Sequence, residues 1–306
     1  IVGKTAGIEF IDFFFKAAPY VVIATLVTLW LGAKLFKISS IRDEAEKLSA
    51  RALVASFDEK EGIESPGFFR FGAVMTFVFI ATVATTSQLP VISELGLGFV
   101  ALAFGGIMLV RYKAVADRFY KAIDWDLLFF FVCLFAVINV MEHAQVLHLI
   151  GEWLKPILSL GDSTGPASLL VTSAVASSVT DNIPLAAVLA KVLGGFQESF
   201  TNGDASYKWF GEYGHLLWWS LIFGAGLGGN FTPIGSASTV VAIGILKKEG
   251  YTITFMQYVK IGAIVVLVQL SLATGYLFAA EKILIKGNKD KVEQSIGHNT
   301  NGTDGH

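Results

Sequence analysis

Charge is scarce in this 306-residue sequence, and what there is nearly balances. Lys and Arg number 23 and Asp and Glu 25, together 16% of the chain, for a net charge of −2. That balance excludes the basic footprint of a nucleic-acid-binding protein and points to no acidic partner. Cysteine is reduced to Cys133, set in an apolar run. It can form no disulfide within the chain and has no metal-ligating neighbours. No H-E-x-x-H occurs, and no histidine falls mid-way along an apolar run to act as a base. The usual grounds for an intramembrane hydrolase are therefore missing. Residues 4–16 lack the n-region, h-region and cleavage-site order of a signal peptide. An opening on Ile1 rather than Met is expected of a piece of a longer chain or of a processed one.

Apolar residues, by contrast, are abundant, at 54% of the chain with a mean hydropathy of +0.62. Runs long enough to cross a hydrocarbon core of about 30 Å recur. Continuous spans are predicted at 17–36, 68–87, 95–110, 126–147 and 258–280. Residues 1–16 read as an interfacial amphipathic segment, with Phe10, Phe13 and Phe14 against Glu9, Asp12 and Lys16. Residues 37–67, which carry Lys37, Arg42, Lys47, Arg51 and Lys60, read as a solvated helix and loop. A linker holding Lys155 and Pro156 follows the fourth span, and the polar tail 282–306 reads as disordered. His143, His148, Lys191, Asp124, Asp126, Trp218 and Trp219 all read as interfacial rather than as site residues.

Two apolar stretches are interrupted in the middle, and they carry the chemistry. The first break, 177–184, reads SSVTDNIP; the second, 224–238, reads GAGLGGNFTPIGSAS. Free backbone N–H and C=O groups in hydrocarbon cost several kcal/mol each unless protein, water or ligand satisfies them. Paired breaks are how transporters build midplane sites from discontinuous helices. The expected architecture is an all-α polytopic membrane protein with an inverted-repeat transporter fold, containing a re-entrant hairpin (163–196) and a broken transmembrane helix (214–246). Hairpin arms of about 14 residues would reach the midplane without crossing. If 163–196 does not cross, the basic loops 37–67 and 111–121 and the pair Lys247 and Lys248 fall on one face, and the hairpin enters from the outer one. The tail lysines Lys282, Lys286, Lys289 and Lys291 are then left outside. I-E-F at 8–10 with the span after it parallels I-T-F at 253–255 with its own span. On this pattern residues 1–67 are the end of a first repeat whose broken helix is missing, and 68–281 are the second repeat.

Asp181 is the one carboxylate expected at the midplane, where an acid costs ~2.5–3.5 kcal/mol on insertion scales. Two roles are open for it. It can cap the helix that Pro184 begins, as can Asn182, or it can hold a cation or proton together with Asn182, Thr180, Ser178 and nearby carbonyls. In the second break Gly228 and Gly229 free the backbone, and Pro233 stops the helix. Asn230, Thr232 and Ser236 supply oxygens and donors there. The helix resuming near Ser236 turns its N-terminal N–H groups and partial positive charge inward, which suits an anion, whereas unwound carbonyls suit Na+.

DNIP at 181–184, LWWSLIFGAGLGGNFTPIGSASTVVAIGI at 217–245 and DWDLLFFFVCLFAVINVMEHAQVL at 124–147 resemble the second-repeat signatures of the ion transporter superfamily. Within it they resemble the citrate transporter-like branch that holds NhaD-type Na+/H+ antiporters, arsenite permeases and the P protein. The resemblance covers about residues 68–280 and implies two re-entrant hairpins, a homodimer and an elevator-like motion. It also implies site residues Asp181, Asn182, Asn230, Thr232, Gly235 and Ser236, to which the break itself adds Gly229, with Na+ held by Asp181 and Asn182. The Asn230-Phe231-Thr232-Pro233 loop stands where NhaD-type antiporters carry a Ser-rich one, and is more similar to the permease side.

The expected function is secondary active, ion-coupled transport in the cell (plasma) membrane, with Na+ or H+ as coupling ion and no other cofactor. Na+/H+ antiport and transport of arsenite, citrate or another oxyanion or dicarboxylate both remain open. So does a non-transporting scaffold, the contrasting class. The partners expected are the lipid bilayer, a small inorganic ion or carboxylate, a second copy of the chain and the missing N-terminal repeat.

Overall fold

The structure is a computed structural model that describes residues 2–38, 43–58, 60, 63, 65–86 and 90–300. Ile1, Arg42 and the tail beyond residue 300 thus lie outside the described residues. Every regular element among the described residues is helical. In chain order these are α1 (Val2–Thr5), α2 (Phe10–Leu35), α3 (Glu44–Ala55), α4 (Pro66–Ala84), α5 (Pro90–Arg111), α6 (Ala116–Ala122) and α7 (Trp125–His143). There follow α8 (Val146–Leu158), α9 (Thr164–Ser177), α10 (Asn182–Thr201), α11 (Lys208–Gly228), α12 (Ala237–Lys248) and α13 (Phe255–Thr300).

Five stretches are long and apolar enough to cross a membrane: Phe10–Leu35, Pro66–Ala84, Glu94–Arg111, Trp125–His143 and Phe255–Ala279. Each overlaps one of the five continuous runs expected from the sequence. Large apolar side chains such as Phe77, Leu102 and Val140 stand exposed on them, as they must where the solvent is lipid. The protein is an all-α, multi-pass integral membrane protein.

Local chemistry explains the helix ends. Ser65 accepts from Phe68 N at 3.3 Å and Pro66 takes the first helical position of α4, where its missing N–H is not needed. Asp43 caps α3 by accepting from Ala45 N at 3.2 Å, and no residue of α3 is buried. Gly96, at φ 79°, kinks α5 near its start.

Three expectations differ from the structure. The segment 10–16 is not a separate interfacial helix. It forms the first turns of α2, which continues through Pro19, as membrane helices can when neighbouring groups satisfy the freed carbonyl. The linker around Lys155 and Pro156 is α8, which Gln145 in a left-handed conformation (φ 60°) turns off the end of α7. Leu147, Gly151 and Leu158, at helical spacing, bury one face of it. The backbone of α13 runs on as helix through the polar stretch from residue 282 to Thr300, which composition marked as disordered.

The chain forms two compact units. One comprises Ile8–Ala18 and Leu29–Phe131, with α4 packed on α5. There Phe79 meets Phe104 edge-on at 5.5 Å between ring centroids, and Phe68 meets Tyr112 at 4.8 Å.

The other unit comprises Ile1–Gly7, Pro19–Thr28 and Val132–His306, and it is built around α11. Leu217, Trp218, Leu221, Phe223 and Ala225 are buried on several sides of that helix, which packs against α9, α10 and α13. Without a hydrophobic force between helices in lipid, close approach of backbones has to supply the contact. Gly224 and Gly228, one turn apart, provide it. A Cβ on Gly224 would lie 2.5 Å from Leu170 O, and one on Gly228 would lie 2.6 Å from Ala174 Cα. Residue 170 pairs with 224 and 174 with 228, so α9 and α11 run parallel and end together.

Candidate functional site

The parallel packing of α9 and α11 brings the two breaks into contact. Past its last turn α9 gives way to residues 178–181, and α11 to residues 229–236. The buried hydroxyl of Thr232 donates to the carbonyl of Ser178, across 54 residues of sequence. Ser177, also buried, donates its hydroxyl to Ala225 O at 2.6 Å. Gly235 sits where the ends of α9 and α11 meet. A Cβ on it would lie 2.9 Å from Gly229 O and 3.1 Å from Ser177 O. Only glycine fits there, because both neighbours are main-chain oxygens that cannot give way.

Most hydroxyl protons of the junction are already engaged. Ser178 Oγ donates to Val175 O at 2.6 Å and Thr180 Oγ1 to Ala176 O at 2.8 Å. With Thr232 donating to Ser178 O, all three hydroxyls face any further group as acceptors. The Ser236 and Ser238 hydroxyls pair with each other at 2.8 Å.

Asp181 performs the capping role. Its Oδ1 accepts from Ile183 N at 3.2 Å, and Pro184 follows in the first turn of α10 with no N–H to satisfy. Asn182 is the first residue of that helix, and the structure gives its side chain no polar contact with the loop 229–236. At the start of α12, Ser236 stands in the N-cap position with extended backbone, but its side chain makes no capping bond. In the first turn of α12 Thr239 N bonds to Ser236 O at 3.1 Å with no side-chain cap, whereas α10 has Ile183 N capped by Asp181 and no N–H at Pro184.

Asn230, within the same loop, is held from α13. Its Nδ2 donates to Gln269 Oε1 at 3.2 Å on α13, and Gln269 Nε2 donates to Thr28 Oγ1 at 3.1 Å on α2. The Tyr20 hydroxyl donates to the main-chain carbonyl of Gln269 at 3.1 Å. Gly262, two turns into α13, lets that helix pass close to the loop: a Cβ there would lie 2.7 Å from Asn230 O and 2.6 Å from Phe231 O. Ser177, Thr28 and Gln269 were not foreseen. Gln269 had a signal, as the one amide side chain in residues 261–279 of an otherwise apolar span. Lys191, expected only to reach toward the membrane surface, pairs with Glu142 at 3.0 Å, and both are half exposed.

Residues 1–211 match the citrate transporter family, a stretch that includes the whole α9–α10 hairpin. The chain belongs to that family. Its members are transporters rather than enzymes. The chain is 31% identical over 294 residues to an uncharacterized transporter of Mycobacterium tuberculosis, covering 93% of the chain and 62% of that protein. A 46 kDa membrane protein of Mycobacterium leprae is 28% identical over 289 residues, 91% of the chain and 61% of the relative. The P protein of Homo sapiens is 29% identical over 198 residues, 62% of the chain and 23% of its own length. The chain thus spans less than two-thirds of the length of each of these relatives. No solved structure matches it.

Proposed function

We propose that the complete protein is a secondary, ion-coupled transporter that holds its coupling cation where residues 177–182 meet residues 229–236. Two convergent helix C-termini carry this proposal. α9 and α11 end side by side, each with its partial negative charge, and Ser177 O and Gly229 O both close on Gly235. Around them stand the hydroxyls of Ser178, Thr180 and Thr232, whose protons are engaged elsewhere. A place rich in oxygen acceptors and poor in donors suits a Na+ ion or a proton. The transported solute is proposed to be a carboxylate-bearing anion. The N-terminus of α12, which has no side-chain cap, supports this, as does the family's description as citrate transporters. Na+/H+ exchange is a second reading, and Asp181, a carboxylate at the tip of the hairpin, favours it.

On the same reading α9 and α10 form a re-entrant hairpin. At 14 residues, α9 reaches about 21 Å, less than the hydrocarbon thickness. The returning arm α10, with 20 residues, is longer than the sequence suggested and reaches about 30 Å. α11 and α12 then form one transmembrane helix unwound over 229–236. An inverted repeat is supported by a matching order of parts. α1, Gly7 at φ 68° and α2 from Phe10 parallel α12, Gly250 at φ 84° and α13 from Phe255. α1 also packs on α10, where a Cβ on Gly194 would lie 3.2 Å from Thr5 Cγ2. The homodimer and the elevator-like motion are proposed on the superfamily resemblance.

The test is flux by the complete protein in proteoliposomes, with radiolabelled citrate under an inward Na+ gradient, a proton gradient or neither. Asn caps a helix about as well as Asp. Asp181→Asn should therefore leave thermal stability near that of the wild type and remove the dependence on the gradient. Gradient dependence unchanged in Asp181→Asn would take Asp181 out of the mechanism. No gradient-driven movement of citrate or Na+ by the wild type would overturn the transporter proposal itself.

A further inference from the structure

We infer that Gln269 and Thr28 are positioning residues that fix which end of the Asn230 amide faces the candidate site. The inference rests on the cation reading of the junction. An amide side chain has a donor end and an acceptor end of nearly the same shape, so its orientation is set by its hydrogen-bond partners. Here the partners form a chain with only one possible direction. It ends on Ala24 O, a helix carbonyl, which can only accept. Thr28 Oγ1 lies 2.7 Å from it and so gives its single proton there. Toward Gln269, at 3.1 Å, Thr28 can then only accept. Gln269 must point Nε2 at Thr28, which leaves Oε1 for Asn230 at 3.2 Å. Asn230 must in turn donate through Nδ2, and its Oδ1 is left without a partner among the described residues. Asn230 is half-buried, so that oxygen remains reachable. The loop thus presents an acceptor where a free amide could equally present a donor, which matches the acceptor-rich character of the junction.

None of these three side chains titrates, and Thr28 belongs to a helix that supplies none of the junction's residues. Thr28→Val therefore removes the directing group while the site's own side chains stay in place. Thr28→Ser keeps the hydroxyl. Two readouts on the complete protein in nanodiscs separate the outcomes. The first is solvent exchange of the Asn230 side-chain NH2 protons, followed by NMR with 15N-asparagine labelling and assigned through Asn230→Ala. Protection is expected in the wild type and in Thr28→Ser, and is expected to fall in Thr28→Val and Gln269→Leu. The second is the thermal shift on adding Na+ in place of choline. Its midpoint concentration should rise about two- to tenfold in Thr28→Val and recover in Thr28→Ser. Twofold is the value for a freed amide that samples both orientations equally.

An Asn230 amide as protected in Thr28→Val as in the wild type would overturn the inference. An unchanged Na+ midpoint in that variant would do the same. If the wild type shows no Na+ shift while Asn230 protection still depends on Thr28, the orienting chain stands and the cation reading falls.

Discussion

Thr232→Val should loosen the contact between the two breaks by an amount that follows from one hydrogen bond. Thr232 is 5% exposed, and its hydroxyl is the donor given to Ser178 O at the hairpin tip. Valine keeps the shape and removes the proton, so that carbonyl stays enclosed without its partner. The expected cost is about 1–3 kcal/mol, the desolvation penalty of a buried group left unpaired, rather than the smaller net value of an average bond. At 1.4 kcal/mol per decade, the opening equilibrium of the tip rises about 5- to 150-fold. The amides that report it are Ser178 N, bonded to Ala174 O at 3.0 Å, and Thr180 N, bonded to Ala176 O at 3.2 Å. Hydrogen–deuterium exchange of peptides covering 178–183 should accelerate by that factor in Thr232→Val. In Thr232→Ser, which keeps the hydroxyl, exchange should stay within a few-fold of the wild type. Exchange at 178–183 that is unchanged in Thr232→Val would refute the idea that this bond holds the breaks together.

Further outcomes follow from packing and from charge. Gly228→Ala places a Cβ against the Ala174 backbone and must push α9 from α11, at about 1–3 kcal/mol, read as a lower unfolding temperature in detergent. Gly226→Ala is the contrast, since a Cβ there meets nothing within 4 Å. It should hold or raise stability by up to about 1 kcal/mol through helix propensity. In the connection between α10 and α11, the Ser206 hydroxyl and then the Ser206 N–H hold the Asp204 carboxyl below its usual range, with Lys155 adding to them. A depressed carboxyl stabilises the fold above its unfolded pKa, and that contribution is lost as pH falls through the folded value. The 3-10 turn Ala205–Tyr207 should therefore loosen on acidification below the ordinary carboxylate range. Hydrogen exchange at Ser206 would report it, and Asp204→Asn should lose this acid dependence.

The five long helices were legible because a run of some twenty apolar residues has few alternatives to a membrane span. Both helix gaps were legible for the converse reason: SSVTDNIP and GGNFTPIGS are poor company for an unbroken helix. What joins the gaps was not legible. Thr232 and Ser178 lie 54 residues apart, and nothing in either segment names the other as its partner. α8 was hidden by Pro156 and by its three-sided character. Leu147 and Leu158 are buried, Leu149 and Trp153 stand exposed, and His148 and Glu152 make a polar edge. Asp181 shows how a position between two helices can leave the chemistry open. It lies between α9 and α10, and the capping bond to Ile183 N is one of the two roles its sequence allowed.

The bond from Gln269 to Thr28 also sets a timetable. Its partners are 241 residues apart, so at ordinary synthesis rates α2 waits roughly 12–48 s for α13 to be made. During that wait the Thr28 hydroxyl is not stranded in lipid, because it bonds to Ala24 O within its own helix. α2 can enter the bilayer as a self-sufficient rod and later accept Gln269 without breaking anything. Asn230 acquires its final orientation only when the last long helix docks, so this part of the site is completed late in the assembly of its unit.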